Sequence, residues 1–330
     1  MAEVLCVGDL LIDFVPTVTG TGLIDAAAFR KAPGGAAANV AVGLARLGVR
    51  SAFMGMVGDD PFGHLLADTL RAEGVDTSPL RFTAQARTAL AFVSLRADGE
   101  REFLFYRHPS ADMLFGPADV DTAAVEAASV LHFDSISLAS ENPRAACLFA
   151  ADRALAAGRM VSYDVNLRLP LWSDAATAAA GIREGLRKAH VVKLSDDELE
   201  FLTGSREPAA VRSTLWHERL RLVAVTRGAA GSTWLTPTAQ GDVPSVGVTA
   251  VDTTGAGDGF MAGLLAGLLR EPDALADPAR LDRLCRFANI VGALTTTERG
   301  AIPALPTRAS VEALLAAQGD PALPPSPSGG

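Results

Sequence analysis

The chain has 330 residues, a formal net charge of −9 and a sequence pI of about 5.1, and its 29 lysines and arginines form no strong cluster. That balance excludes a nucleic-acid footprint and points to small-molecule partners, while the length suits one large α/β domain with a small appendage. Three separated cysteines in apolar surroundings, Cys6, Cys147 and Cys285, make no C-x-x-C pair, which argues against disulfide or zinc frameworks and for buried, reduced thiols.

The chain enters an apolar strand run over residues 4–7 without a basic leader, and its longest apolar helical stretch, residues 260–269, is too short to cross a bilayer. A cytoplasmic location without a membrane partner is expected. Asp9 and Asp13 follow the first strand, and Gly34, Gly35 and Asn39 stand at the entrance of an alanine-rich helix over residues 37–47, introduced by Pro33 and followed by Gly48. Carboxylates, an amide and adjacent glycines can grip paired hydroxyls; equally, Asp9 and Asp13 can be turn residues and Asn39 a core amide. A strand over 51–57 and an amphipathic helix over 62–73, ended by Gly74, continue a strand-helix alternation.

Residues 88–106 break that rhythm. Thr88-Ala-Leu-Ala-Phe-Val-Ser-Leu95, then Asp98-Gly99, then Glu102-Phe-Leu-Phe-Tyr106 reads as a β-hairpin. It predicts either a small separate sheet able to close over a pocket or an edge extension of the main sheet. Further strands are expected at 130–133, 160–164, 191–194 and 222–226 with helices between them, giving a largely parallel sheet covered on both faces, with its ligand crevice beyond the strands' carboxyl ends. Residues 320–330, rich in proline, serine and glycine, are expected to be disordered.

The densest signal comes late, in Asp252-Thr-Thr-Gly-Ala-Gly-Asp-Gly-Phe260. Residues 246–251 read as a strand, and Phe260, Leu264, Leu265 and Leu268 recur at helical spacing, with small residues suited to packing on a sheet. The turn over 253–257 therefore opens a helix, whose free N–H groups and dipole attract an anion. Asp258 in that first turn is either a dipole-stabilising carboxylate or a base beside a phosphoryl group. Glycines at 255, 257 and 259 do not have dinucleotide-fingerprint spacing, and no lysine follows them as a Walker A loop requires.

Pro33-Gly-Gly-Ala-Ala-Ala-Asn39 and Asp252-Thr-Thr-Gly-Ala-Gly-Asp258 resemble the two signature motifs of the ribokinase-like, or PfkB, carbohydrate kinases. Leu11-Ile-Asp-Phe-Val-Pro-Thr17, Arg87-Thr-Ala-Leu-Ala-Phe-Val93, Arg107-His-Pro-Ser-Ala-Asp-Met-Leu114, Asn166-Leu-Arg-Leu-Pro-Leu-Trp172 and Glu298-Arg-Gly-Ala-Ile-Pro-Ala-Leu-Pro306 are similar to segments of fructokinases, the plant type especially. The resemblance implies a three-layer α/β/α kinase domain over residues 1–318, with a mainly parallel central sheet and a small β-sheet lid drawn from about 12–32 and 87–110. It implies Asp258 as catalytic base and Gly255, Ala256 and Gly257 as the anion hole. Sugar and phosphate contacts fall on Asp9, Asp13, Gly34, Gly35, Asn39, Arg107, Asn166 and Arg168, although Arg107 taken singly could be a surface ion pair. Nucleotide contacts fall on Lys193, Ser195, Thr226, Arg227, Gly228, Gly231, Gly257 and Asn289.

Ser195-Asp-Asp-Glu198 matches the family's Asn-x-x-Glu element with serine in place of asparagine, leaving Glu198 to meet Mg²⁺ through water; the same residues also read as an ordinary acidic helix start. The resemblance also matches Asp252 and Thr254, with carbonyls near Glu298 and Gly300, to ligands of a monovalent cation such as K⁺, but Ala304 stands where ribokinases carry a hydroxyl, and Asp252 could simply brace the turn. The implied reaction is ATP-dependent phosphorylation of D-fructose to fructose 6-phosphate, with homodimer pairing through lid strands. Its rivals are a kinase for another sugar, such as ribose or 2-keto-3-deoxygluconate, and a catalytically silent sugar sensor.

Overall fold

A computed structural model of the chain describes residues 1–18, 20–95 and 101–319. Along it run β1 (Val4–Val7), β2 (Leu11–Pro16), β3 (Phe29–Gly34), α1 (Ala36–Arg46), β4 (Ser51–Gly58), α2 (Pro61–Ala72), β5 (Leu80–Thr83), β6 (Leu90–Leu95) and β7 (Arg101–Tyr106). Next come α3 (Thr122–Ala127), β8 (Val130–Asp134), α4 (Glu141–Ala156), β9 (Met160–Asp164), α5 (Ala175–Leu186), β10 (Val191–Ser195), α6 (Asp196–Thr203), α7 (Ala209–Thr214) and β11 (Leu222–Thr226). The last elements are β12 (Ser232–Leu235), β13 (Gln240–Val243), α8 (Ala256–Arg270), α9 (Pro278–Thr295) and α10 (Arg308–Gln318).

The large sheet has the order β13-β12-β11-β10-β9-β8-β1-β4-β5, parallel from β11 to β5 and antiparallel at β12 and β13. Alternate strand residues feed two cores. Val4 and Cys6 face one with α1, α2, α8, α9 and α10, while Leu5 and Val7 face the other with α3 to α7. Three layers result, as the sequence predicts. All three cysteines are buried and free.

The small sheet, β3-β2-β6-β7, is separate from the large one, so the hairpin does not extend an edge. β6 and β7 pair antiparallel from Leu90↔Tyr106 to Leu95↔Arg101; the Asp98-Gly99 turn lies outside the described residues, as does the tail 320–330. Its entering strand is latched by Asp60, which caps α2 through Phe62 and Gly63 N–H and also accepts Thr88 N–H at 2.8 Å and Thr88 Oγ1–H at 2.9 Å.

Two sequence expectations need correction. Residues 246–251 form no strand. Beyond β13 the chain leaves the sheet, and the carbonyls of Val243, Pro244 and Ser245 accept from Asn289 and Arg286 of α9. Val246 and Val248 turn inward on α8 and α9, so the alternation records one buried side of an extended loop rather than a ladder. The small residues of α8 meet helices rather than the sheet: a Cβ on Gly43 of α1 would lie 2.7 Å from that of Ala262, and one on Gly267 would lie 2.7 Å from Leu284 of α9. Close helix crossing explains those residue types.

Candidate active site

The carboxyl ends of β1, β8, β9, β10 and β11 and the start of α8 converge beneath the small sheet, as expected of a parallel sheet. They enclose a cavity of about 320 Å³. Asp9, Asp13, Asn39, Arg107, Asn166, Arg168, Lys193, Glu198 and Asp258 line it together with apolar Leu11, Val15, Val93 and Phe105 of the small sheet. A second cavity of about 400 Å³ runs between the 245–250 loop, the 228–231 turn, α8 and α9. Thr226, Thr253 and Gly257 line both. The glycine turn thus forms the seam between a polar pocket and a largely apolar cleft.

The turn is closed by Asp252, whose Oδ1 accepts Thr254 N–H at 2.9 Å and Thr254 Oγ1–H at 2.7 Å and whose Oδ2 accepts Gly300 N–H at 3.0 Å. Gly255 caps α8 with φ 80°, and a Cβ there would lie 2.9 Å from that of Ala301. A Cβ on Gly257 would lie 2.7 Å from Lys193 Nζ, so the bare glycine lets the ammonium reach the seam. Lys193 is buried and ion-paired with Asp164 at 3.0 Å. Burial alone would depress its pKa, but the carboxylates of Asp164 and Glu198 more than offset this and hold it above its ordinary value.

Asp258 is buried in the first turn of α8, where Oδ2 accepts Asn39 Nδ2–H at 2.7 Å. Desolvation and the neighbouring Asp164 carboxylate raise its pKa to about 6, against the pull of Asn39, Lys193 and Arg168. Asp13, partly buried, is raised to about 7 by desolvation and by Asp9. Gly34 does not line the cavity; a Cβ on it would lie 2.2 Å from Asp13 Oδ2, so its role is to make room for that carboxylate. Gly35 lines the wall directly.

Four buried polar atoms at the cavity wall have no hydrogen-bond partner among the described residues: Asp9 Oδ1, Asn39 Oδ1, Arg107 Nε and Asn166 Nδ2. Asn166 also has φ 35°, uncommon for a non-glycine residue, with its N–H held by Asp164 at 3.1 Å. Arg107 is no surface ion pair. It is 4% exposed and pairs with Asp112.

Glu198 combines both of its sequence readings. It completes a capping box with Ser195 and also accepts Leu167 N–H through Oε1 at 2.8 Å, while lining the cavity. Each oxygen retains a lone pair. Of the residues expected at a nucleotide, Thr226, Gly228, Gly231, Gly257 and Asn289 line the second cleft, and Lys193 and Ser195 line the first. Arg227 lines neither; its guanidinium pairs with Asp242 at 3.0 Å. Ala256 lines the second cleft, its N–H making a long 3.3 Å bond to Thr253 O.

Sequence reasoning passed over Asp164, Asp112 and Thr253. Asp164 ends the expected 160–164 strand and so carried the same strand-end signal as Asn166. Asp112 lay inside the quoted 107–114 segment, but nothing local marked it as the partner of Arg107.

Residues 1–308 match the pfkB family of carbohydrate kinases. Fructokinase-2 of Solanum habrochaites is 52% identical over 309 residues, covering 93% of this chain and 94% of the relative. The crystal structure of a Xylella fastidiosa fructokinase with bound ATP superposes with a TM-score of 0.89 at 38% identity, covering 97% of this chain and 100% of that one. A double mutant of the Vibrio cholerae fructokinase, in a form with bound fructose, ADP and potassium ion, gives 0.84 at 38% identity, with 96% and 98% covered.

Proposed function

Because the chain belongs to the pfkB family of carbohydrate kinases and has its ribokinase-like α/β fold, we propose that it is a fructokinase that transfers the γ-phosphoryl group of ATP to the 6-hydroxyl of D-fructose, with Asp258 as general base. The observation that carries this reading is the seam: a polar pocket and an apolar cleft meet at one glycine turn, with a buried carboxylate on the polar side. The sugar occupies the pocket and the nucleotide the cleft. Asp13, Asp9 and Asn166 take sugar hydroxyls, and the small sheet acts as a lid that keeps water out.

In the transfer, the 6-hydroxyl oxygen bonds to the γ-phosphorus while that phosphorus parts from the oxygen bridging it to the β-phosphate. ADP leaves with the electron pair, and the hydroxyl proton passes to Asp258. Asn39 holds the carboxylate toward the pocket. The N–H groups of the 255–257 turn, Arg168 and Lys193 stabilise charge on the phosphoryl oxygens. They are set in place before reaction, so little reorganisation is needed.

No group of three or more His, Cys, Asp or Glu among the described residues is arranged to cage a metal. One carboxylate with spare lone pairs, Glu198, fits an ion held mainly by phosphates and water, which is how Mg²⁺ is usually bound. When bound, Mg²⁺ would neutralise phosphate charge. The monovalent-cation set is incomplete here: Ala304 supplies no side-chain oxygen, and the carboxylate of Asp252 closes the turn.

Arg107 bears on the choice of sugar. With Asp112 paired to it and Asp9 facing it, the wall at that end presents no net positive charge to a keto-acid carboxylate. A neutral polyol suits it better. Exposed Leu104 and Tyr106 on β7, an edge strand of the small sheet, support a homodimer through the lid, which sedimentation reads directly. No described helix is long and apolar enough to cross a membrane, and three reduced, buried thiols suit the cytoplasm.

Coupled ADP release with a panel of sugars tests the reading. D-fructose is expected to give the highest kcat/KM, above ribose and 2-keto-3-deoxygluconate. Sugar binding without ADP release from any member would establish the sensor instead.

A further inference from the structure

Both connections of the β6–β7 hairpin to the main domain pass one point. Arg87, just before β6, and Ser110, just after β7, form an isolated parallel bridge, with Ala111 N–H donating to Arg87 O at 2.8 Å. Arg107 leaves β7 at this junction, and its side chain lines the sugar pocket. Behind it lies Asp112, on the single 3-10 turn Ala111–Leu114 that packs on β4 and α4 of the main domain. Asp112 and Arg107 are each 4% exposed, and Asp9 3%.

Asp112 has no direct place in the pocket wall. Its Oδ2 accepts from Arg107 Nη2, and its Oδ1 accepts Ser110 Oγ–H at 2.5 Å. Ser110 Oγ–H also lies 3.0 Å from Arg107 O. The guanidinium is therefore clamped from behind, on the side away from the sugar. Its Nε and the Oδ1 of Asp9, whose carboxyl interacts with the guanidinium, are both buried and without partners among the described residues. A donor and an acceptor together match one hydroxyl, which can accept from Nε and donate to Oδ1.

We propose that Asp112 is a positioning residue for sugar recognition: anchored on the main domain, it fixes the Arg107 guanidinium at the lid junction so that Nε and Asp9 Oδ1 are set to receive one sugar hydroxyl. Without the clamp, the flexible arginine would turn toward Asp9 and pair with it, consuming the acceptor that the hydroxyl needs. The loss would fall on sugar binding. The nucleotide cleft shares neither residue.

This inference rests on the reading of the cavity as a fructose site. The test is steady-state kinetics of Asp112→Asn, Asp112→Glu, Ser110→Ala, Arg107→Gln and the Arg107→Gln/Asp112→Asn double variant, varying fructose and ATP separately. Loss of a buried charge-assisted hydrogen bond predicts that Asp112→Asn raises the fructose KM about tenfold or more, with the ATP KM little changed. Asp112→Glu, which restores the charge, should recover part of that loss, and Ser110→Ala should raise the fructose KM by about two- to threefold. In the Arg107→Gln background, adding Asp112→Asn should cost nothing further, which a merely structural role would not produce. Should Asp112→Asn fail to fold, Ser110→Ala and the double variant, which removes both buried charges, decide the matter. An unchanged fructose KM, an equal rise in both KM values, or full additivity in the double variant would overturn the proposal alone. Absence of fructose turnover in the wild type would overturn the reading of the site and this inference with it.

Discussion

A base that must be ionised near neutrality yet take a proton from a sugar hydroxyl works best with a pKa close to the working pH. Asp258 meets that condition through burial and the nearby Asp164 carboxylate, which bring it to about 6. A raised carboxylate is protonated, and useless as a base, below that value. The pH profile of kcat/KM should therefore lose activity as pH falls through about 6, and an acid limb near the ordinary carboxylate value of about 4 would contradict the assignment. Asn39 was legible as a polar residue at a helix entrance, but its bond to Asp258 spans 219 positions of sequence and no local pattern could carry it. Asn39→Ala should lower kcat by about 10- to 100-fold with the fructose KM little altered, since a misaimed base costs rate more than affinity.

At the scale of the element, the start of α8 joins strain and function. A side chain at Gly255 meets both the positive φ and the Ala301 contact. Gly255→Ala should thus destabilise the fold by about 1–3 kcal/mol, read as a shift in the denaturant midpoint. At Gly257 the obstructing atom is the far end of a lysine. Gly257→Ala should therefore leave the midpoint nearly unchanged while lowering kcat, because Lys193 withdraws from the seam. Equal stability losses in the two variants would refute that division. Elements such as β9 and β11 were fully legible because short apolar runs between turn signals suit a doubly covered sheet. The 245–250 loop was not, because alternation reports one-sided burial and cannot say whether carbonyls meet a neighbouring strand or the side chains of Arg286 and Asn289. The capping box at Ser195 and Glu198 was legible as a helix start, and only the tertiary contact to Leu167 shows the same carboxylate tying two strand ends together.

Over the whole molecule, gathering Asp9, Asp13 and Asp258 in one pocket, with buried Asp134 of β8 close enough to interact with Asp9 and Asp258, costs stability that a more neutral arrangement would keep. Burial and neighbouring carboxylates raise all four. Their folded pKa values exceed the unfolded ones, so the folded state holds more protons, and their contribution to stability is lost as pH rises; for Asp258 and Asp13 that loss runs from about 4 through about 6 and about 7. Thermal unfolding of the ligand-free protein should show this as a steeper loss of stability with rising pH than in Asp13→Asn, which removes one of the four charges; a parallel pH dependence in the two proteins would contradict it. The parallel sheet, the small separate sheet and the glycine turn were readable in the sequence as pieces. Their convergence on one seam was not, since it depends on how residues far apart in the chain pack. The central claim is that this seam transfers phosphate with Asp258 as base, and the most direct measurement is fructose phosphorylation by the wild type and by Asp258→Asn, followed by phosphorus NMR alongside fructose binding. The account predicts fructose 6-phosphate from the wild type and a kcat lower by about a thousandfold or more in a folded, fructose-binding Asp258→Asn. Wild-type turnover in that variant would contradict it.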